Sequence, residues 1–220
     1  MFLILMELKK CLESNNSLLK KHSMKKIFIV VFIFIASKGV GQNFTADITN
    51  AKTSYAAGKL EDAHFALQQA MQEIDMIIGK EVLKQLPDKM DAFAVNSKDD
   101  NVTSTVGFIG TTIHRSYGNA DDVDLSTISN SPMVATLNAF LNTPLLGGMM
   151  SKNGDNKIIK VQGYKGQLTR DTNSNGQTNY TIQLPIGSSL ITFTAKNTTD
   201  TQIMTWANTL PLQQIAKLIQ

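Results

Sequence analysis

A chain of 220 residues with 42% hydrophobic residues is long enough for one domain with a real core. Its formal net charge of +3 and its one cysteine, Cys11, both depend on residues 1–41; without them the chain has no cysteine, 14 basic side chains and 16 acidic ones. That excludes a disulfide scaffold, a thiolate zinc site and a cysteine nucleophile and, with no basic patch left, a nucleic-acid partner.

Met24 to Gln42, MKKIFIVVFIFIASKGVGQ, has the layout of an export signal. Lys25 and Lys26 form a basic n-region, Ile27 to Ala36 an apolar h-region, and Gly39 and Gly41 supply small residues before a cut at Gln42. The apolar run is too short for a bilayer span and polar chain follows it, so the mature chain is expected to have no membrane span. Residues 1–23 fit no export logic and are read as a misassigned start region, with Met24 as the natural initiator. Cys11 lies upstream of the h-region, so it is no lipoprotein acyl site. The expected destination is the periplasm or the medium.

Residues 45–87 are expected to form a helical hairpin. A first helix covers Ala46 to Ala57, Gly58-Lys59 breaks it, and a second runs from Leu60 to Leu86 until Pro87 ends it. Ala63, Leu67, Ala70, Ile74, Ile77, Ile78 and Val82 recur at helical spacing, which predicts one buried stripe. Asp62, Gln69, Gln72, Glu73, Lys80 and Lys84 make up the opposite face. Tyr55, Gly58, Ala63 and Ala70 resemble the tetratricopeptide pattern over one repeat length, whereas such solenoids need about three repeats. An ordinary hairpin packed through small residues is therefore expected.

Asn96 to Asn101 reads as a polar connector, and residues 103–220 as an antiparallel α+β domain. Ser104 to Tyr117 and Val123 to Ile128 have strand composition. Ser131-Pro132 opens a helix to about Leu141 with Met133, Leu137, Phe140 and Leu141 as its apolar face. Lys157–Val161, Tyr164–Thr169, Thr178–Leu184 and Leu190–Ala195 follow as strands, with turns at Asn173–Gly176 and Gly187. Thr199 or Asp200 caps a helix carrying Ile203, Trp206, Ala207 and Leu210, and Pro211 starts a last one with Leu212, Ile215, Leu218 and Ile219. Short loops between consecutive strands imply antiparallel pairing, and the helices imply a covered face.

The order of Ser131-Pro132 and its helix, Gly163-Tyr164-Lys165, Leu184-Pro185-Ile186-Gly187 and the terminal helix pair resembles a family of uncharacterised exported bacterial proteins. The signal type, MKK with glutamine at the mature terminus, is similar to that of Bacteroidetes-type proteins. More loosely, the arrangement resembles the small α/β/α sandwich of the Mog1/PsbP type. These resemblances imply a periplasmic setting and bring no catalytic residues.

Asp171, Asn173, Asn175 and Asn179, with Gly176 at the sixth position, match the first part of a calcium loop. The twelfth position is Ile182 instead of a bidentate glutamate, and the flanks read as strands, so a polar hairpin turn accounts for the same residues. His64 reads as a surface imidazole. His114 and Ser116 share one face of a strand, where alternation keeps them parallel, and a solvated strand face is the expectation; a hydrolase using His114 is the alternative. Asp121, Asp122 and Asp124 read as a solvated acidic turn. In Thr143 to Met150, paired glycines beside Leu145, Leu146, Met149 and Met150 suit a ligand mouth or partner contact, and core packing at a helix end accounts for the same residues. The combined expectation is a non-catalytic envelope protein, without cofactor, binding a partner protein or a small apolar ligand; a calcium-stabilised binding domain using Asp171 is a further alternative.

Overall fold

The helical periodicity after residue 41 produces α1 (Gly41–Ala56) and α2 (Leu60–Gln85), with the reversal at Gly58, whose φ of +72° suits a residue without Cβ. The structure is a computed structural model and describes residues 41–104, 110–119, 122–143 and 155–219. A small antiparallel hairpin follows, β1 (Lys89–Met90) and β2 (Phe93–Ala94), within a stretch that has no readable strand pattern.

Seven further strands form one antiparallel sheet: β3 (Asn101–Thr103), β4 (Thr112–Tyr117), β5 (Val123–Ile128), β6 (Asn156–Val161), β7 (Tyr164–Thr172), β8 (Thr178–Ile186) and β9 (Ser189–Ala195). Helix α3 (Met133–Asn142) follows β5, and α4 (Asp200–Ala207) and α5 (Leu212–Ile219) follow β9. The strand order β3-β4-β5-β9-β8-β7-β6 joins two meanders, β3 to β5 and β6 to β9, along a β5–β9 seam with Val123 opposite Ala195. The fold is α+β, as the sequence predicts.

One sheet face supplies the main core. Tyr117, Val123, Ile182, Leu184 and Phe193 meet Ile203, Leu210, Leu212 and Ile215 from the C-terminal helices, with Val82 and Leu86 from the end of α2. Each large apolar side chain fully buried there contributes roughly 1.5–3 kcal/mol. Helix α2 packs against α5, β4 and β3. Gly79 sits at that contact, where a Cβ would run into Val102. A glycine in a helix interior costs about 1 kcal/mol relative to alanine, and here its smallness brings α2 close to the sheet. On the other face Val134, Leu137 and Leu141 of α3 cluster with Leu190.

Several local expectations change. The buried residues of α2 are Ala63, Ala66, Ala70, Gly79 and Val82, whereas Leu67, Ile74 and Ile77 remain exposed. The burial follows the small residues, so the periodic stripe is only partly internal. Met133 is also exposed, and Val134 takes its inward place. Of the strand read from Ser104 to Tyr117, Thr112–Tyr117 form β4 and residues 105–109 lie outside the described set, while β3 starts earlier, at Asn101, the last residue read as connector. The Thr199 hydroxyl caps α4 by accepting from the Gln202 backbone N–H at 3.2 Å.

Candidate functional site

The polar chemistry of the described residues concentrates on β4. Its pairing with β5 sets Ser116 opposite Asp124 and His114 opposite Ser126. Alternation then turns His114 and Ser116 away from the main core and Ile113, Arg115 and Tyr117 towards it.

On the outward face, His114 Nε2 contacts Asp124 Oδ2, and its Nδ1 lies 3.2 Å from the Asp99 carbonyl oxygen. The Ser116 hydroxyl donates to Asp99 Oδ2 at 3.2 Å, an oxygen that also receives the Asn96 amide. On the core face, Arg115 Nε and Nη2 donate to the two oxygens of Asp100 at 2.9 and 2.6 Å, and Nη1 donates to the Leu86 carbonyl at 3.2 Å. Three consecutive residues of β4 therefore grip two consecutive aspartates from opposite faces of the strand. The Asp100 hydrogen bonds raise the Arg115 pKa against the opposing effect of burial.

Two expectations for this region are corrected. Ser116 is wholly buried and His114 half-buried, so this is no solvated strand face. Asp124 lies within β5 and engages His114, so it is not a solvated turn carboxylate. Asp122 does serve the turn, accepting from the Asn119 backbone N–H at 3.0 Å. His114 and Ser116 point to separate partners, and the buried Ser116 hydroxyl is committed to Asp99. As a pair they position the connector and present no exposed nucleophile.

Next to Arg115, the buried Tyr117 hydroxyl meets no partner in hydrogen-bond geometry among the described residues, and burial pushes its pKa up to about 12. The neighbouring Arg115 guanidinium acts in the opposite sense. Beside His114, an open hollow of about 690 Å³ is walled by Lys98, Asp99, Asp100, Asn101, Thr103 and Thr112.

The calcium-like loop forms a β7–β8 hairpin with Asp171 opposite Asn179. Asn173 Oδ1 accepts from the backbone N–H groups of Asn175 and Gln177, both at 3.0 Å, and Asn179 Oδ1 accepts from the Asn197 N–H at 3.1 Å. Two of the four candidate oxygens thus serve the protein's own backbone. Among the described residues, no group of three or more His, Cys, Asp or Glu side chains could hold a metal ion. Leu145, Leu146, Met149 and Met150 lie outside the described residues. His64 is exposed on α2.

Sequence reasoning misses Asp99 and Asp100, which look like ordinary connector residues. A usable signal is Arg115, one of only two arginines after residue 41, placed at an inward position of a strand. A buried guanidinium requires carboxylate or carbonyl partners.

The most conspicuous surface feature lies on α2. Leu60, Leu67, Met71 and Ile74 are 64%, 47%, 67% and 41% exposed. At about 100° per residue, the four side chains fall on one helix face. Among the described residues, no helix is long and apolar enough to cross a membrane. No protein-family model, curated protein or solved structure matches the chain.

Proposed function

We propose that the chain is an exported, non-catalytic binding module of the bacterial envelope that engages a partner protein through the outer face of α2. The observation carrying this reading is the apolar stripe Leu60, Leu67, Met71 and Ile74, exposed on a helix whose other end is anchored in the core by Val82. Apolar anchors at this spacing are the means by which one helix engages a groove or another helix. Exposed apolar side chains gathered on one face mark contact surfaces more often than scattered ones do. Export rests on the signal layout of residues 24–41.

The test is a crosslinked pull-down of C-terminally tagged protein from native envelope fractions, run beside the double variant Leu67→Glu/Met71→Glu. One stoichiometric partner, lost in the variant while its circular dichroism and melting temperature stay unchanged, is the expected result. Equal capture by both proteins, or none by either, rejects α2 as the contact. Amino-terminal sequencing of the envelope form should begin at Gln42; an uncut terminus in the cytoplasmic fraction rejects export.

A further inference from the structure

We propose that His114 is a proton-operated latch, holding the Asn96–Asp100 connector to the sheet while its ring carries two protons. A neutral imidazole has one N–H donor and one nitrogen acceptor, whereas imidazolium donates from both nitrogens. Here both nitrogens face oxygen acceptors, the Asp124 carboxylate and the Asp99 backbone carbonyl. A backbone carbonyl has no proton to offer, and an ionised carboxylate has none either. Only imidazolium satisfies both contacts together; either neutral tautomer turns a lone pair towards an oxygen.

The surroundings favour the same form. Asp124 approaches from β5, and Asp99 from the connector, while Lys98 is the cation in the same hollow. Asp100 also lines that hollow, but its oxygens are bound to Arg115 on the core side. Direct contact with the Asp124 carboxylate favours positive charge on the ring. The ring is 33% exposed, so protons reach it without unfolding and solvent moderates the interaction.

On deprotonation one contact must weaken. The Asp124 partner is a charged acceptor and Asp99 a neutral carbonyl at 3.2 Å, so the Asp99 side lets go. Arg115 keeps its grip on Asp100, and Ser116 keeps its bond to Asp99 Oδ2. The connector therefore loosens locally at the Asp99 carbonyl, and the adjoining short edge strand β3, paired to β4 from Asn101 opposite His114, opens more often. Because protonation accompanies the closed form, closure is complete in acid and is lost as pH rises through the ring's midpoint.

Long-range proton–nitrogen NMR of the folded chain tests this directly. The expected spectrum at the acid end shows both His114 nitrogens protonated, with a midpoint that falls in Asp124→Asn. Amide exchange at Asn101–Thr103, corrected for intrinsic rates, should accelerate about tenfold above the midpoint, the size of one charge-assisted hydrogen bond. His114→Gln, which always offers a donor, should abolish that pH dependence. Protection at Asn101–Thr103 that stays constant across the midpoint overturns the latch. So does a midpoint indifferent to Asp124→Asn. If that variant does not fold, the wild-type exchange profile alone decides.

Discussion

The sheet core and the outer part of α2 use the same apolar residue types to opposite ends. In the core, Ile182, Phe193 and Ile203 are wholly buried, whereas α2 buries Ala63, Ala66 and Ala70 and leaves Leu60, Leu67 and Met71 exposed. Size therefore marks the interior in one region and the surface in the other. A large side chain contributes to folding only where strands or helices surround it. On the outer face of α2 it stays largely exposed.

The sharpest way to break this contrast is to shrink one residue in each region. Phe193→Ala should cost about 3–5 kcal/mol, because the deleted ring leaves a void between the sheet and the C-terminal helices. The shift of the urea unfolding midpoint measures it. Arg115→Met should cost roughly 1.5–3 kcal/mol by the same method, since the buried Leu86 carbonyl and the Asp100 carboxylate lose their donors. Adding Asp100→Asn should recover part of that loss, as expected for coupled neighbours. An additive double variant would mean that the grip on Asp100 does not matter energetically.

Asp75 sharpens the comparison through pH. Its half-buried carboxyl has a pKa raised first by desolvation, with Thr111 softening the effect. A carboxyl easier to protonate in the folded state disfavours folding above its folded pKa, and that penalty disappears as pH falls below the unfolded value. Asp75→Asn should therefore raise the melting temperature at pH 7, with the gain vanishing in acid. A gain independent of pH would reject the electrostatic cause. The smallest expected effect is Leu67→Ser, within about 0.5 kcal/mol, because the residue is outside the core. If Leu67→Ser destabilises as much as Phe193→Ala, the contrast between the regions fails.

Much of the fold is legible in the chain. Strands β6 to β9 are readable because Asn173–Gly176 and Gly187 punctuate clear alternation, and Gly176 and Gly187 do take positive φ. The β1–β2 hairpin is not, since two-residue strands carry no periodicity and its turn uses Asp91, at φ +56°, instead of glycine. The burial of α2 is misread because periodicity gives the spacing of apolar residues without saying which side finds a neighbour; that depends on Gly79 meeting β3. On β4, alternation correctly places His114 and Ser116 on one face. It cannot show that Asp99, fifteen positions before His114, lies against that face.

The β5–β9 seam has a kinetic consequence. Every other pairing in the large sheet joins strands consecutive in the chain, and such neighbours close over short loops. The seam joins Val123 to Ala195 and can close only after the second meander has been synthesised and brought back beside the first. Loop closure over that span costs entropy before any contact rewards it, and non-local pairing slows folding. Of the sheet's pairings, β9 on β5 therefore carries the largest loop-closure cost and is the one expected to form last. Until then the inner edges of both meanders stay unpaired, and the nascent chain is most open to strand exchange with a second copy.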